Sequence, residues 1–254
     1  MTTEFKQIVI VLFSIFLMSC SSDEISPENT PTPPVVVTPP VITPPVTIPT
    51  AVNYLALGDS YTIGQSVCET CRYPEQLKSS LTALYPQYGF SLKVIAKTGW
   101  TTANLISAIN TEKPQANYDL VTLLIGVNNQ YQGLNFSVYE KEFPELLNKA
   151  IMLAKGDAKN VIVLSIPDYA YTPFGVSMMQ GQTNMISAEI NKYNSFAEND
   201  CKAKGVVFLN ITDITRQGLT NTTLVAKDAL HPSEYAYKLF VEKMLPNVKK
   251  VLQN

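Results

Sequence analysis

The chain has 254 residues, of which 46% are hydrophobic and 16% charged, enough apolar material for a sizeable core. Its formal net charge of −2, with acidic and basic residues interspersed, excludes the electrostatic footprint of a nucleic-acid partner. Four cysteines and a single histidine, His231, leave few residues for a metal centre.

The N-terminus reads as a leader. Lys6 precedes an apolar run from Ile8 to Met18 that is closed by Ser19 and Cys20. The run is short for a bilayer span and has the layout of an export signal. "LMSC", Leu17 to Cys20, resembles a bacterial lipobox, which implies a signal peptide over residues 1–19 and a lipidated Cys20 as the mature N-terminus. An ordinary signal peptide or a buried apolar strand is the alternative. "SSDE" after Cys20 resembles an acidic surface-export signal, so the expected location is a bacterial outer membrane, facing the periplasm or the outside.

Residues 20–50 then form a linker. From Pro27 to Thr50 the chain repeats Pro-Pro separated by Val, Ile and Thr. Proline removes backbone donors and fixes φ, so the segment favours an extended polyproline-like stalk. The folded domain is expected over residues 51–254, a normal size for one domain.

Within it, short β-branched runs alternate with amphipathic stretches. Strands are predicted at Val52–Leu57, Ser91–Ala96, Leu120–Gly126, Asn160–Ile166 and Gly205–Asn210. Their near-continuous apolar character suits strands buried on both faces of a parallel sheet. Helices are predicted at Glu75–Leu84, Thr102–Ile109, Val138–Ala154, Met185–Lys202 and Tyr235–Val248. In the fourth, Ile186, Ile190, Tyr193 and Ala197 recur at helical spacing, and Ser233 is placed to cap the last helix. The alternation predicts an α/β sandwich, in which ligands bind beyond the carboxyl ends of the strands.

The loops expected at that rim carry the chemistry. The first strand runs into Gly58-Asp59-Ser60, the second into Gly99 and the third into Gly126 and Asn128. Asp228 and His231 stand just before the last helix. A serine becomes a nucleophile when an oriented base takes its proton. His231 is the one imidazole in the chain, and a single turn brings the Asp228 carboxylate to its Nδ1, leaving Nε2 for Ser60. The Ser60 and Gly99 N–H groups and the Asn128 amide are candidate donors to an oxyanion.

Together these blocks resemble the SGNH (GDSL) hydrolase family, in the family's order and across nearly all of the chain from Tyr54 onward. The resemblance implies a three-layer α/β/α sandwich with a mainly parallel five-stranded, flavodoxin-like sheet. It implies Ser60 as nucleophile, His231 as base, Asp228 as orienting acid, and Ser60, Gly99 and Asn128 as the oxyanion hole. Relatives are esterases, lipases, thioesterases and carbohydrate deacetylases, generally metal-independent, so no cofactor is expected. Many members read Gly-x-Asn-Asp, whereas this chain has Asn129 in the aspartate's place. The expected activity is hydrolysis of carboxylic esters, with short acyl groups such as O-acetyl on glycans as the first reading. A lysophospholipase or thioesterase, or a silent glycan-binding surface lipoprotein, are the alternatives.

Further residues are candidates on weaker grounds. "CETC" reads as a small Cys68–Cys71 disulfide, with reduced, inert thiols as the alternative, because a zinc site lacks its other ligands. Cys201 is expected as a buried free thiol. Trp100, Tyr131 and the segment Asp168–Gly175 cluster on the same rim as candidate substrate contacts, with packing as their ordinary role. Arg72 is a candidate contact for a polar or anionic substrate group, or else half of a surface ion pair.

Overall fold

The computed structural model describes residues 50–178 and 180–253. The leader, Cys20 and most of the proline-rich segment lie outside the described residues.

Five strands form one parallel sheet: β1 (Thr50–Gly58), β2 (Tyr88–Ala96), β3 (Leu120–Leu124), β4 (Val161–Leu164) and β5 (Val207–Leu209), in the order β2-β1-β3-β4-β5. Register is set around β1, where Ala56 lies opposite Val94 of β2 and Thr122 of β3. The central strands are as apolar as their burial demands. Every residue of β3 and β4 is buried, whereas the edge strand β2 alternates towards solvent in its first half.

The helices are α1 (Ser60–Ile63), α2 (Tyr73–Leu84), α3 (Thr102–Glu112), α4 (Val127–Tyr131), α5 (Phe136–Leu153), α6 (Pro173–Met178), α7 (Thr183–Lys204), α8 (Thr212–Thr215) and α9 (Glu234–Val251). The step from β1 to β2 runs one way across the sheet and the later steps run the other. With right-handed crossovers, that reversal puts the connecting helices on opposite faces. Accordingly α2 packs with α9, while α3, α5 and α7 pack as neighbours. The result is the expected three-layer α/β/α sandwich.

Local signals account for the helix ends. Pro74, in the first turn of α2, starts that helix before Glu75, as proline's fixed φ allows. Ser233 Oγ accepts the Ala236 N–H at 3.1 Å and caps α9. Ile186, Ile190, Tyr193 and Ala197 are the buried face of α7, together with Cys201. Fully burying an aliphatic side chain of this kind stabilises the fold by about 1.5–3 kcal/mol. The free Cys201 thiol lies in this face, and burial pushes its pKa up to about 12.

The short helices α1, α4, α6 and α8 fall where the sequence predicts loops. They are short turns held by neighbouring elements, and in α1 by the Asp59 cap, rather than by apolar periodicity. Two of them, α1 and α4, begin within three residues of the ends of β1 and β3, at the point where strand order reverses. In sheets of this kind that crevice is where ligands bind.

Candidate active site

Ser60 is the first residue of α1 and is nearly buried. Gly58 makes this turn feasible: a Cβ there would sit 2.1 Å from Thr62 Oγ1 and 2.4 Å from the Leu124 carbonyl. Asp59 caps the turn, with Oδ1 accepting the Tyr61 N–H at 3.0 Å. Its other oxygen, Oδ2, is buried with no partner among the described residues. Burial pushes the Asp59 carboxyl up to about 7, against the lowering effect of its backbone donors. Asp59 therefore shapes the turn that presents Ser60.

Asp228 and His231 sit on a tight loop between β5 and α9. An isolated bridge joins Val225 to Pro232, and the Ala226 N–H donates to the His231 carbonyl at 2.8 Å. Asp228 Oδ1 accepts the N–H groups of Leu230 and His231, both at 3.0 Å. Its Oδ2 lies 2.6 Å from His231 Nδ1. Partial burial raises the Asp228 carboxyl, but the donors from Ser66, His231 and Leu230 outweigh it and hold the group at about 2. An ionised carboxylate accepts only, so Nδ1 carries the proton and Nε2 is left as the acceptor.

The imidazole is nearly buried and packs against the Tyr61 ring, with centroids 5.5 Å apart, beside Ser60. Among the described residues, Ser60 Oγ makes no hydrogen bond to His231. Such links often tighten only in the complex with substrate.

The oxyanion candidates converge on the same end of the sheet. The Ser60 N–H is a first-turn donor with no helical acceptor. Gly99 holds φ +82°, and a Cβ there would meet nothing within 4 Å, so the loop after β2 is open on that side. Asn128 Nδ2 donates to the Trp100 carbonyl at 2.9 Å, which fixes the amide and leaves its second hydrogen uncommitted by that bond. Gln132 Nε2 donates to the Gly99 carbonyl at 3.1 Å, binding the end of α4 to the same loop.

Asn129 supplies the loop support in its own way. Its Oδ1 accepts the Thr102 N–H at 3.0 Å and its Nδ2 donates to Thr102 Oγ1 at 2.6 Å. Thr102 Oγ1 in turn donates to Glu142. A carboxylate could not give the second of these bonds, so asparagine fits this neighbourhood.

The structure sorts the remaining candidates. Cys68 and Cys71 form a disulfide that closes the turn before α2. Tyr131 is half exposed and meets Tyr169 edge-on at 5.8 Å and Phe174 at 6.4 Å. Phe174 is fastened to the catalytic-type loop through its N–H, which donates to the Ala229 carbonyl at 2.9 Å. Trp100 is half-buried against the core, and its carbonyl is committed to Asn128. Arg72 is corrected as a substrate contact: it is buried, and its guanidinium pairs with Glu69 at 2.9 Å and Glu75 at 3.4 Å. Asp168, in the aromatic segment, is fully buried and pairs with Arg216 at 3.0 Å.

Sequence reasoning missed Ser66, whose Oγ donates to Asp228 Oδ2 at 2.6 Å. A serine two residues beyond a glycine carries no signal that separates it from an ordinary turn residue. It also missed the small apolar crevice beside His231, lined by Tyr61, Tyr169, Leu224 and Leu230, with room for about one water molecule.

Comparisons with known proteins agree with this fold. Residues 56–239 match the model of the GDSL-like Lipase/Acylhydrolase family. No curated protein matches the chain. Among solved structures, an acetylxylan esterase from Geobacillus stearothermophilus is similar, with a TM-score of 0.58 and 18% identity over 80% of this chain and 96% of that one. A psychrotrophic esterase from a Pseudoalteromonas species has a TM-score of 0.55 and 17% identity over 80% of this chain and 99% of its own. A lipolytic G-D-S-L family protein from Veillonella parvula has a TM-score of 0.54 and 19% identity over 77% and 97%. At such identities the neighbours establish the shared fold, while the family model spans well over half of the chain. This chain belongs to the GDSL-like lipase/acylhydrolase family and is a carboxylic ester hydrolase.

Proposed function

We propose that the enzyme removes short acyl groups, such as O-acetyl, from glycans through a Ser60–His231–Asp228 triad. The observation that carries the reading is the 2.6 Å contact between His231 Nδ1 and an ionised Asp228, on the chain's lone imidazole, beside the residue that follows Ser60. Ser60 Oγ attacks the ester carbonyl and its proton passes to His231 Nε2. Asp228 steadies the imidazolium, and the N–H groups of Ser60 and Gly99 with the Asn128 amide take the developing oxyanion. His231 returns the proton to the departing alcohol. Water activated by the same imidazole then hydrolyses the acyl-enzyme and frees the acid.

Two features favour a small acyl group on a sugar. The apolar crevice beside His231 suits a methyl group better than a chain. The exposed Tyr131 face, backed by Tyr169 and Phe174, offers a flat amphipathic surface to a sugar ring. The similar acetylxylan esterase is consistent with this choice. The test is a panel of acetylated oligosaccharides, medium-chain esters, acyl thioesters and lysophospholipids, with p-nitrophenyl acetate as a generic probe, on wild type and Ser60→Ala. Preference for the acetylated sugars, abolished in Ser60→Ala, is expected. Equal rates for the two proteins would overturn the mechanism.

The same reading includes export and lipid anchoring through Cys20, with residues 20–50 as the stalk. The support is the apolar leader ending in Leu-Met-Ser-Cys and the proline repeats after it. Cys20→Ala should move the protein from the membrane fraction to the soluble one, and full retention would count against lipidation.

A further inference from the structure

Gln65 and Ser66, just past the glycine that closes α1, join the loops of the site. Gly64 closes that helix in the left-handed region, and Ser66 also holds a positive φ, +70°. A side chain other than glycine rarely adopts this conformation, so neighbouring contacts must hold it. One is the 2.6 Å bond from Ser66 Oγ to Asp228 Oδ2, the same oxygen that faces His231 Nδ1. Next to it, Gln65 Oε1 accepts from Thr98 Oγ1 at 2.6 Å, one residue before Gly99. Just beyond, the Cys68–Cys71 disulfide closes the following turn.

We propose that Ser66 is a positioning residue for the Asp228–His231 pair, a claim that rests on the triad reading above. Asp228 stands on a solvent-exposed loop, and its Oδ1 is committed to backbone donors of that same loop. Those bonds move with the loop and give no reference to the nucleophile. Ser66 does, because it is carried by the turn that follows the helix bearing Ser60. Its hydroxyl occupies one lone pair of Oδ2 and leaves the other aimed at Nδ1, so the imidazole keeps one tautomer and one orientation relative to Ser60.

The lone histidine makes the claim directly measurable. Full-length protein carrying 15N-labelled histidine gives the ring signals of His231 alone. In Ser66→Ala, the Nδ1–H signal should broaden or move as its partner loosens, with far-ultraviolet circular dichroism showing the fold retained. With p-nitrophenyl acetate, kcat should fall by about ten-fold and KM stay within about two-fold, the scale of one lost hydrogen bond to a charged group. Ser66→Gly, which removes the hydroxyl while relieving the backbone, should behave alike and covers the case in which the alanine variant folds poorly. An Nδ1–H signal unchanged in both variants overturns the positioning role, whatever the rates do. If the wild type cleaves no ester yet its signal changes in Ser66→Ala, the positioning stands and the triad reading falls.

Discussion

Asn129 and Thr102 are joined by two opposed hydrogen bonds: the Thr102 N–H donates to Asn129 Oδ1, and Asn129 Nδ2 donates to Thr102 Oγ1. With its proton given to Glu142, the Thr102 hydroxyl has only lone pairs left for the Nδ2 side of residue 129. Asn129→Asp should therefore place a carboxylate against an acceptor and destabilise the fold by about 1–3 kcal/mol. Adding Glu142→Gln frees the threonine proton, so urea denaturation of the double variant should recover much of that loss. Additive losses would show that the two positions do not communicate.

Asp59 sets a pH dependence of unusual sign. Its folded-state carboxyl titrates near 7, above the ordinary 3.8. Below the ordinary value both folded and unfolded chains hold the proton, and this residue sets no balance between them. As pH rises through that value and on through 7, the unfolded chain releases its proton first, so stability falls and the burial penalty becomes complete. Asp59→Asn keeps the acceptor for Tyr61 and removes the charge. Its stability relative to wild type should rise between about pH 4 and about pH 8, by at most on the order of 4 kcal/mol. A difference that stays flat with pH would contradict the assignment.

Asp228 behaves in the opposite sense. Held at about 2, it stays ionised down to strongly acid solution, and its stabilising effect is lost progressively as pH falls from the ordinary value of 3.8 through about 2. Activity should therefore show no loss from Asp228 protonation above about pH 4. Asp228→Asn should lower kcat by roughly 10³–10⁴-fold, because the amide can donate to Nδ1 and favour the wrong tautomer. Steady-state kinetics with p-nitrophenyl acetate checks both statements.

The Cys68–Cys71 bridge spans a sequence separation of only three residues, so its effect on the unfolded chain is modest. Cys68→Ser with Cys71→Ser should cost about 2 kcal/mol in denaturant titrations. The same change should lower kcat, since Val67 alone separates Ser66 from Cys68. Wild-type turnover in the double variant would show that the loop holds its shape unaided.

Tyr131 tests the sugar platform. Tyr131→Ala should raise KM for acetylated oligosaccharides by about three- to ten-fold, the range expected of one aromatic contact. Hydrolysis of p-nitrophenyl acetate, which has no sugar to stack, should be unaffected. Equal changes for both substrates would place Tyr131 in packing alone.

The five strands and five long helices were legible because apolar runs and helical periodicity are read over many residues. Ile186, Ile190, Tyr193 and Ala197 fall on one buried face for that reason. The approach of Asp228 to His231, beside the turn that carries Ser60, was legible through the regular placing of loops after strands and the resemblance of these blocks to the SGNH pattern. The short helices were not, since tertiary contacts, and in α1 the Asp59 cap, hold them. Arg72 misled for a related reason: a cation near the nucleophile loop looks available until Glu69 and Glu75, each three residues away, claim it. Ser66 was hidden because its partner is 162 residues distant and its backbone angle has no signature in sequence.

The direction of β1 has a consequence for access. The strand begins at Thr50 and delivers Ser60 just past its far end. Nine residues at about 3.3 Å each separate the two poles by roughly 30 Å. A force applied through the chain upstream of Thr50 is thus borne at the pole away from the nucleophile. An ester approaching Ser60 therefore meets the sheet at the pole opposite Thr50.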